Sequence, residues 1–182
     1  MTDPDRADRE ASRFVTDFVR RTRHLPHWED PGAMYFITFT LADRGLCDLT
    51  SGDIAPIIIG ALRYFNGERY DLYEYVVMPD HVHAILKLPQ RGGRTEALHR
   101  VMHSIKSWTA KRINERLGRT GRLWRDETYD HIIRDPDDYE NHAGYIWLNP
   151  LAKGLTGDPD RWPWFGDGQA AGGETDDDLE LG

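Results

Sequence analysis

Cysteine is nearly absent: Cys47 is the only one in 182 residues. That excludes an internal disulfide framework and any cysteine-cluster metal site. A reducing, cytoplasmic setting is the expectation that follows. Long apolar runs are also missing. The longest, from Ile54 to Leu62, is interrupted by Pro56 and Gly60 and falls well short of the roughly 20 residues a bilayer span needs. No membrane partner is therefore expected. The N-terminus opens Met-Thr-Asp-Pro-Asp, without an apolar secretory core. No internal repeat is visible.

Charge is plentiful but uneven. The formal net charge is −8, which by itself argues against nucleic acid. Five acids between Glu174 and Glu180 supply much of it, with no base among them. The stretch from Lys87 to Arg125 is the opposite, with eleven bases against Glu96 and Glu115. A solvated helix face and a phosphate-binding surface both fit such a stretch.

The element order reads β-α-β-β-α-β-α. Met34 to Leu41 is rich in aromatic and β-branched residues and predicts a strand. Ser51 or Asp53 is placed to cap a helix over Ile54 to Phe65, closed by Asn66-Gly67. Tyr70 to Met78 and His81 to Leu88 predict an antiparallel hairpin about Pro79-Asp80. Gln90 to Arg94 reads as a loop. Thr95 to Leu117 has helical spacing, with Leu98, Val101, Met102, Ile105, Trp108 and Ile113 on one stripe. Tyr129 to Arg134 predicts a fourth strand. Asp135-Pro136-Asp137-Asp138 is a helix start, and the helix is expected to run to about Asn149 and stop at Pro150. The first six elements match the ferredoxin-like βαββαβ pattern, an α+β fold with an antiparallel sheet, and the last helix is an addition. Residues 1–19 read as a polar arm, with Phe14, Phe18 and Val19 hinting at a short helix. Residues 20–165 read as the domain and 166–182 as an acidic, disordered tail. Trp162, Trp164 and Phe165 are expected to dock against the body.

Two groups of residues suggest chemistry. In His81-Val82-His83, positions two apart on a strand share a face, so both imidazoles project together as a divalent-metal half-site. Tyr145 and Asn149 stand at i and i+4 and share a helical face. They offer a nucleophilic phenol beside an oxygen ligand. Read alone, that pair fits better as a packing aromatic and a helix cap before Pro150.

Taken in order, Met78-Pro-Asp-His-Val-His83, Leu123-Trp124, Tyr129-Asp-His-Ile-Ile-Arg134 and Tyr145-Ile-Trp-Leu-Asn-Pro150 with Lys153-Gly-Leu155 resemble the REP-associated tyrosine transposases. These are single-tyrosine transposases of the HUH type, named for His, a hydrophobic residue and His. Arg20-Arg21, Leu25-Pro-His-Trp28 and Tyr35-Phe-Ile-Thr-Phe39 also fit, and the resemblance spans about residues 20–165. It implies a ferredoxin-like core with a later catalytic helix. It implies Mg²⁺ or Mn²⁺ held by His81 and His83, with Asn149 where relatives often carry Gln, and Tyr145 as nucleophile. The product implied is a covalent 5′-phosphotyrosine on single-stranded or hairpin, REP-like DNA, made by a monomer or a homodimer. Two imidazole ligands make Mn²⁺ a good fit and leave zinc open.

Around this centre, Arg94, Lys106, Lys111, Arg112, Arg122 and Arg125 are the expected phosphate contacts, with Trp124 as a stacking face. His131 and His142 are expected to stand behind the direct ligands. Tyr139 is a rival nucleophile, but six residues from Tyr145 is about 600° of helical rotation, so only one of the two can face the histidines. A histidine-triad hydrolase is excluded because Ile85 occupies the third alternating position. Initiator or relaxase chemistry fits less well with the small size and single motif tyrosine. The remaining rival is a domesticated module that keeps the fold and binds DNA without cutting it.

Overall fold

Alternation along each strand divides the molecule into two faces. The computed structural model describes residues 32–168. Strand β1 (Met34–Thr40) sends Ile37 and Phe39 to one side and Met34 and Phe36 to the other. Beyond it come helix α1 (Ala55–Tyr64), β2 (Asp71–Val77) and β3 (His81–Lys87). A small hairpin of β4 (Gln90–Arg91) and β5 (Arg94–Thr95) follows, then α2 (Leu98–Arg116), β6 (Tyr129–Ile133), α3 (Pro136–Ala152) and β7 (Phe165–Asp167). The main sheet has the order β6-β1-β3-β2-β7, and every neighbouring pair is antiparallel. Its first four strands are the expected ferredoxin-like arrangement.

The larger core lies on one face, where α1 and α2 cover Ile37, Phe39, Val77, Val82, Ala84 and Leu86. On the other face α3 covers Met34, Phe36, Val76 and Ile85 with Tyr139, Ala143 and Ile146. The third helix thus turns an open two-layer sheet into a three-layer sandwich. The imidazoles of β3 belong to the face it covers.

Several elements differ from the sequence reading, each for a physical reason. Gln90–Thr95 is a paired hairpin, because Gly92 and Gly93 both take positive φ, of 57° and 75°, as a tight hairpin turn requires. Helix α1 begins without a side-chain cap, since Asp53 instead pairs with Arg116 at 2.7 Å. On α2 the buried position is Thr109 rather than Trp108, which is exposed beneath the Arg112 guanidinium. Thr109 returns its hydroxyl to the Ile105 carbonyl at 2.7 Å, which makes the polar side chain compatible with burial.

Helix α3 does not stop at Pro150 but runs to Ala152. Pro150 lies in the last turn, so the one i→i−4 bond that its missing N–H removes falls near the helix end rather than in its middle. The helix ends one step later, with Gly154 at φ 68° and Leu155 N–H donating to the Pro150 carbonyl at 2.9 Å in a glycine-terminated cap. Phe165–Asp167 adds a fifth strand beside β2, so the sheet takes in Gly166 and Asp167, which the sequence reading gave to the tail. The expected arm, the hinted helix at Phe14, Phe18 and Val19, the Arg20-Arg21 and Leu25–Trp28 motifs and the acidic run all lie outside the described residues. Among the described residues no helix is long and apolar enough to cross a membrane.

Beneath α3 sits one poorly solvated carboxyl. Glu74 accepts from the Tyr139 hydroxyl at 2.8 Å, and its other oxygen is buried without a hydrogen-bond partner among the described residues. Burial, reinforced by Asp167 and only partly offset by the Tyr139 bond, pushes Glu74 up to about 7. A carboxyl raised in the fold contributes stability below its unfolded value, and that contribution is lost as pH rises through the folded value. Glu74→Gln is therefore expected to be more stable than wild type above pH ~7, by up to about 3 kcal/mol, and no more stable near pH ~4.5. Urea titrations at the two pH values check this, and an equal difference at both would contradict it.

Candidate active site

His81 and His83 leave β3 on the side that α3 covers. Their ring centroids are 4.6 Å apart, as the two-residue period requires. Each imidazole is held by a different neighbour. His81 Nδ1 is 2.5 Å from the Asp80 carboxylate. His83 Nδ1 is 2.7 Å from the Thr38 hydroxyl, because β1 and β3 place Thr38 directly opposite His83. With Nδ1–H donating in each case, Nε2 keeps its lone pair, which is the form a metal needs. Burial, and then the neighbouring His81, push His83 down to about 3, so its ring is neutral over the ordinary pH range. Burial also raises Asp80, but the His81 hydrogen bond and the His81 and Arg44 charges outweigh it and hold the carboxylate below its usual range.

Tyr145 and Asn149 come over this pair from α3. The Tyr145 ring stands edge-on to His83 with centroids 5.2 Å apart, and it is 51% exposed. Asn149 is 3% exposed and lies inside the helix, so it is not the cap that an end at Pro150 would have made it. Its side-chain nitrogen is 3.5 Å from His83 Nε2, and its Oδ1 is buried with no hydrogen-bond partner among the described residues. A buried amide oxygen without a donor, beside two oriented imidazoles, is a donor set suited to a divalent ion. His81, His83 and Asn149 thus fit such an ion. Tyr139 goes elsewhere. It is 2% exposed, and its hydroxyl is bonded to Glu74 beneath the helix.

The tyrosine opens onto a cleft of about 360 Å³ lined by Phe36, Thr38, His83, Tyr129, Asn141, His142 and Tyr145. A second, larger cleft of about 820 Å³ lies on the other side of β6, between that strand and α2. His99, His103, Lys106, Arg122 and Arg125 contribute to its walls. The expected basic residues therefore separate into groups. Lys106, Arg122 and Arg125 share the larger cleft. Arg112 pairs with Glu115, and Arg94 and Lys111 are exposed away from it. Lys106 donates to the Asp126 carbonyl at 2.9 Å, and Arg122 pairs with Asp126. Trp124 does not provide a stacking face. It is 4% exposed, packs edge-on to Phe39, and donates its indole N–H to Thr109 at 3.0 Å.

The sequence reading missed Thr38 and Asp80, which orient the rings, and Phe36, which stacks on His83. Asp80 had a visible signal, since it directly precedes His81. Thr38 had none, because its role depends on strand register across 45 positions.

Comparison with known proteins agrees with this architecture. The sequence model described as "Transposase IS200 like" matches residues 61–133. A REP-associated tyrosine transposase of Escherichia coli strain K12 is 26% identical, over 73% of this chain and 75% of its own length. A Haemophilus influenzae protein bearing the same family name is 24% identical, over 73% of this chain and 78% of its own. The chain is similar to the REP-associated tyrosine transposases. A solved structure of a REP-associated tyrosine transposase bound to a REP hairpin matches with a TM-score of 0.61 and 23% identity, covering 79% of this chain and 81% of that one. At that identity the match speaks for the fold. These matches support a DNA transposase, and the β3 histidines fall inside the matched segment while α3 lies beyond it.

Proposed function

We propose that this transposase cleaves and rejoins single-stranded DNA beside a hairpin, through a covalent link to Tyr145. The observation that carries the reading is the exposed Tyr145 phenol beside His83 in an open cleft, while Tyr139 is sealed beneath the helix. The Tyr145 oxygen attacks the scissile phosphorus and loses its proton. The bond from phosphorus to the 3′-oxygen breaks, and that oxygen leaves as a hydroxyl after taking a proton. The 5′ side stays on the enzyme as a phosphotyrosine. Attack by another 3′-hydroxyl reverses the step without ATP, since the ester is conserved. A divalent ion, Mg²⁺ or Mn²⁺, held by His81, His83 and Asn149 would supply Lewis-acid stabilisation of the phosphoryl oxygens. Thr38 and Asp80 fix the imidazole orientations, and α3 fixes the phenol relative to them.

Hairpin DNA is the substrate class we infer, supported by the relative solved with a REP hairpin. Lys106, Arg122 and Arg125 are the proposed phosphate contacts, with the strand passing around the β6 edge to reach Tyr145. The test is covalent capture: a hairpin oligonucleotide with a single-stranded flank should retard the protein on a denaturing gel. With about three phosphates neutralised, log affinity should fall with log salt at a slope of about −2 to −3. A flat response would remove the basic cleft from the binding surface. Thr38→Val keeps the shape of the side chain but removes the partner of His83 Nδ1. It is expected to weaken Mn²⁺ binding roughly 10–100-fold, measured by equilibrium titration, with the fold retained.

A further inference from the structure

The geometry points to a second divalent-metal site, formed by His131, Asp138 and His142 and distinct from the β3 histidines. His131 comes from the edge strand β6, and Asp138 and His142 come from successive turns of α3. Each offers a ligand atom, and the three atoms lie within 4.8 Å of one another. The Asp138 carboxylate reaches both rings, with one oxygen 3.1 Å from His131 Nε2 and the other 3.0 Å from His142 Nδ1. A first-row ion about 2.1 Å from its ligands sets neighbouring ligand atoms roughly 3.0–3.4 Å apart, so the carboxylate already stands at the spacing a coordination shell requires.

Other contacts hold the three side chains in place. The two rings stack with centroids 4.7 Å apart. Arg134 N–H donates to the Asp138 carboxylate at 3.2 Å. His142 Nδ1 also lies 2.8 Å from the Asp138 backbone carbonyl, a hydrogen bond that holds the ring beside the carboxylate and that Nδ1 gives up when it takes an ion. All three groups are half-buried, so the carboxylate keeps access to an ion. Two imidazoles and one carboxylate favour Mn²⁺, Co²⁺ or Zn²⁺ over Mg²⁺.

The site would pin α3 to β6. His142 stands one turn before Tyr145 and lines the same cleft, and Phe36 packs against both His142 and His83. An ion here therefore fixes the helix that carries the phenol, and acts on it through position.

The test is Mn²⁺ stoichiometry on the chelator-stripped full chain, read by electron paramagnetic resonance, with melting temperature as a second readout. Wild type is expected to bind two ions per chain. His81→Ala/His83→Ala should keep one, and Mn²⁺ should still raise its melting temperature. His131→Gln/Asp138→Asn should also keep one, and combining all four changes should leave none. One ion in wild type, lost only in His81→Ala/His83→Ala, would overturn this inference and leave the proposed function standing. One ion lost only in His131→Gln/Asp138→Asn would support this site and remove the other. No tight Mn²⁺ in wild type would overturn both.

Discussion

Tyr145→Phe is expected to abolish covalent capture of DNA and to lower strand cleavage by roughly 10⁴-fold or more, the scale on which removing a covalent nucleophile acts. Only the phenolic oxygen is lost. The ring keeps its edge-on contacts with His83 and Phe36, so hairpin affinity and melting temperature should hardly change. The comparison that gives this force is Tyr139→Phe. That hydroxyl serves Glu74 under the helix, so its loss should cost stability of about 1 kcal/mol and leave the adduct intact. An adduct that persists in Tyr145→Phe and vanishes in Tyr139→Phe would assign the nucleophile to the wrong tyrosine. If wild type itself never forms an adduct, the protein is better read as a binding module that has kept the fold.

Chelation is the second large effect. Stripping divalent ions is expected to slow cleavage on the order of a thousandfold, which corresponds to the several kcal/mol of charge stabilisation an ion contributes at a phosphoryl group. Mn²⁺ should restore the wild type. It should not restore His83→Ala, because that change removes the ring that Thr38 orients and that faces Asn149. Hairpin binding should survive in both, since the basic cleft lies on the other side of β6. Cleavage at the same rate with and without chelator would refute the metal role of these three residues. The pH response adds a constraint. His83 is held neutral down to about 3 by burial, so acid loss of activity above that value must come from another group.

The sequence made the order of elements along the chain, the hairpin around Pro79-Asp80 and the shared face of His81 and His83 legible, because these rest on local periodicity. It separated Tyr145 from Tyr139 by rotation about the helix, and the structure places their side chains in different surroundings. What it missed depends on distant partners. Thr38 opposite His83 is a matter of register between strands. Trp124 looked available for stacking because an aromatic among arginines suggests a surface, yet its indole N–H found a buried acceptor in Thr109. Pro150 looked like a stop, and the cap at Gly154 lies one turn further on. That extra turn keeps Asn149 helical and aimed at the histidines.

The division of the sheet into two faces separates the demands placed on the chain. Ile37, Phe39, Val82, Ala84 and Leu86 pack under α1 and α2, while the alternate residues Thr38, His81 and His83 face α3. Along β1 and β3, every other codon serves cohesion under α1 and α2, and those between divide between packing under α3, at Met34, Phe36 and Ile85, and the proposed site. Drift in one set leaves the other in register, so such a protein can be made sturdier or looser by repacking under α1 and α2 without rewriting what it does to DNA. The same interleaving leaves it intolerant of any single-residue insertion within those strands, which would exchange the two sets at once.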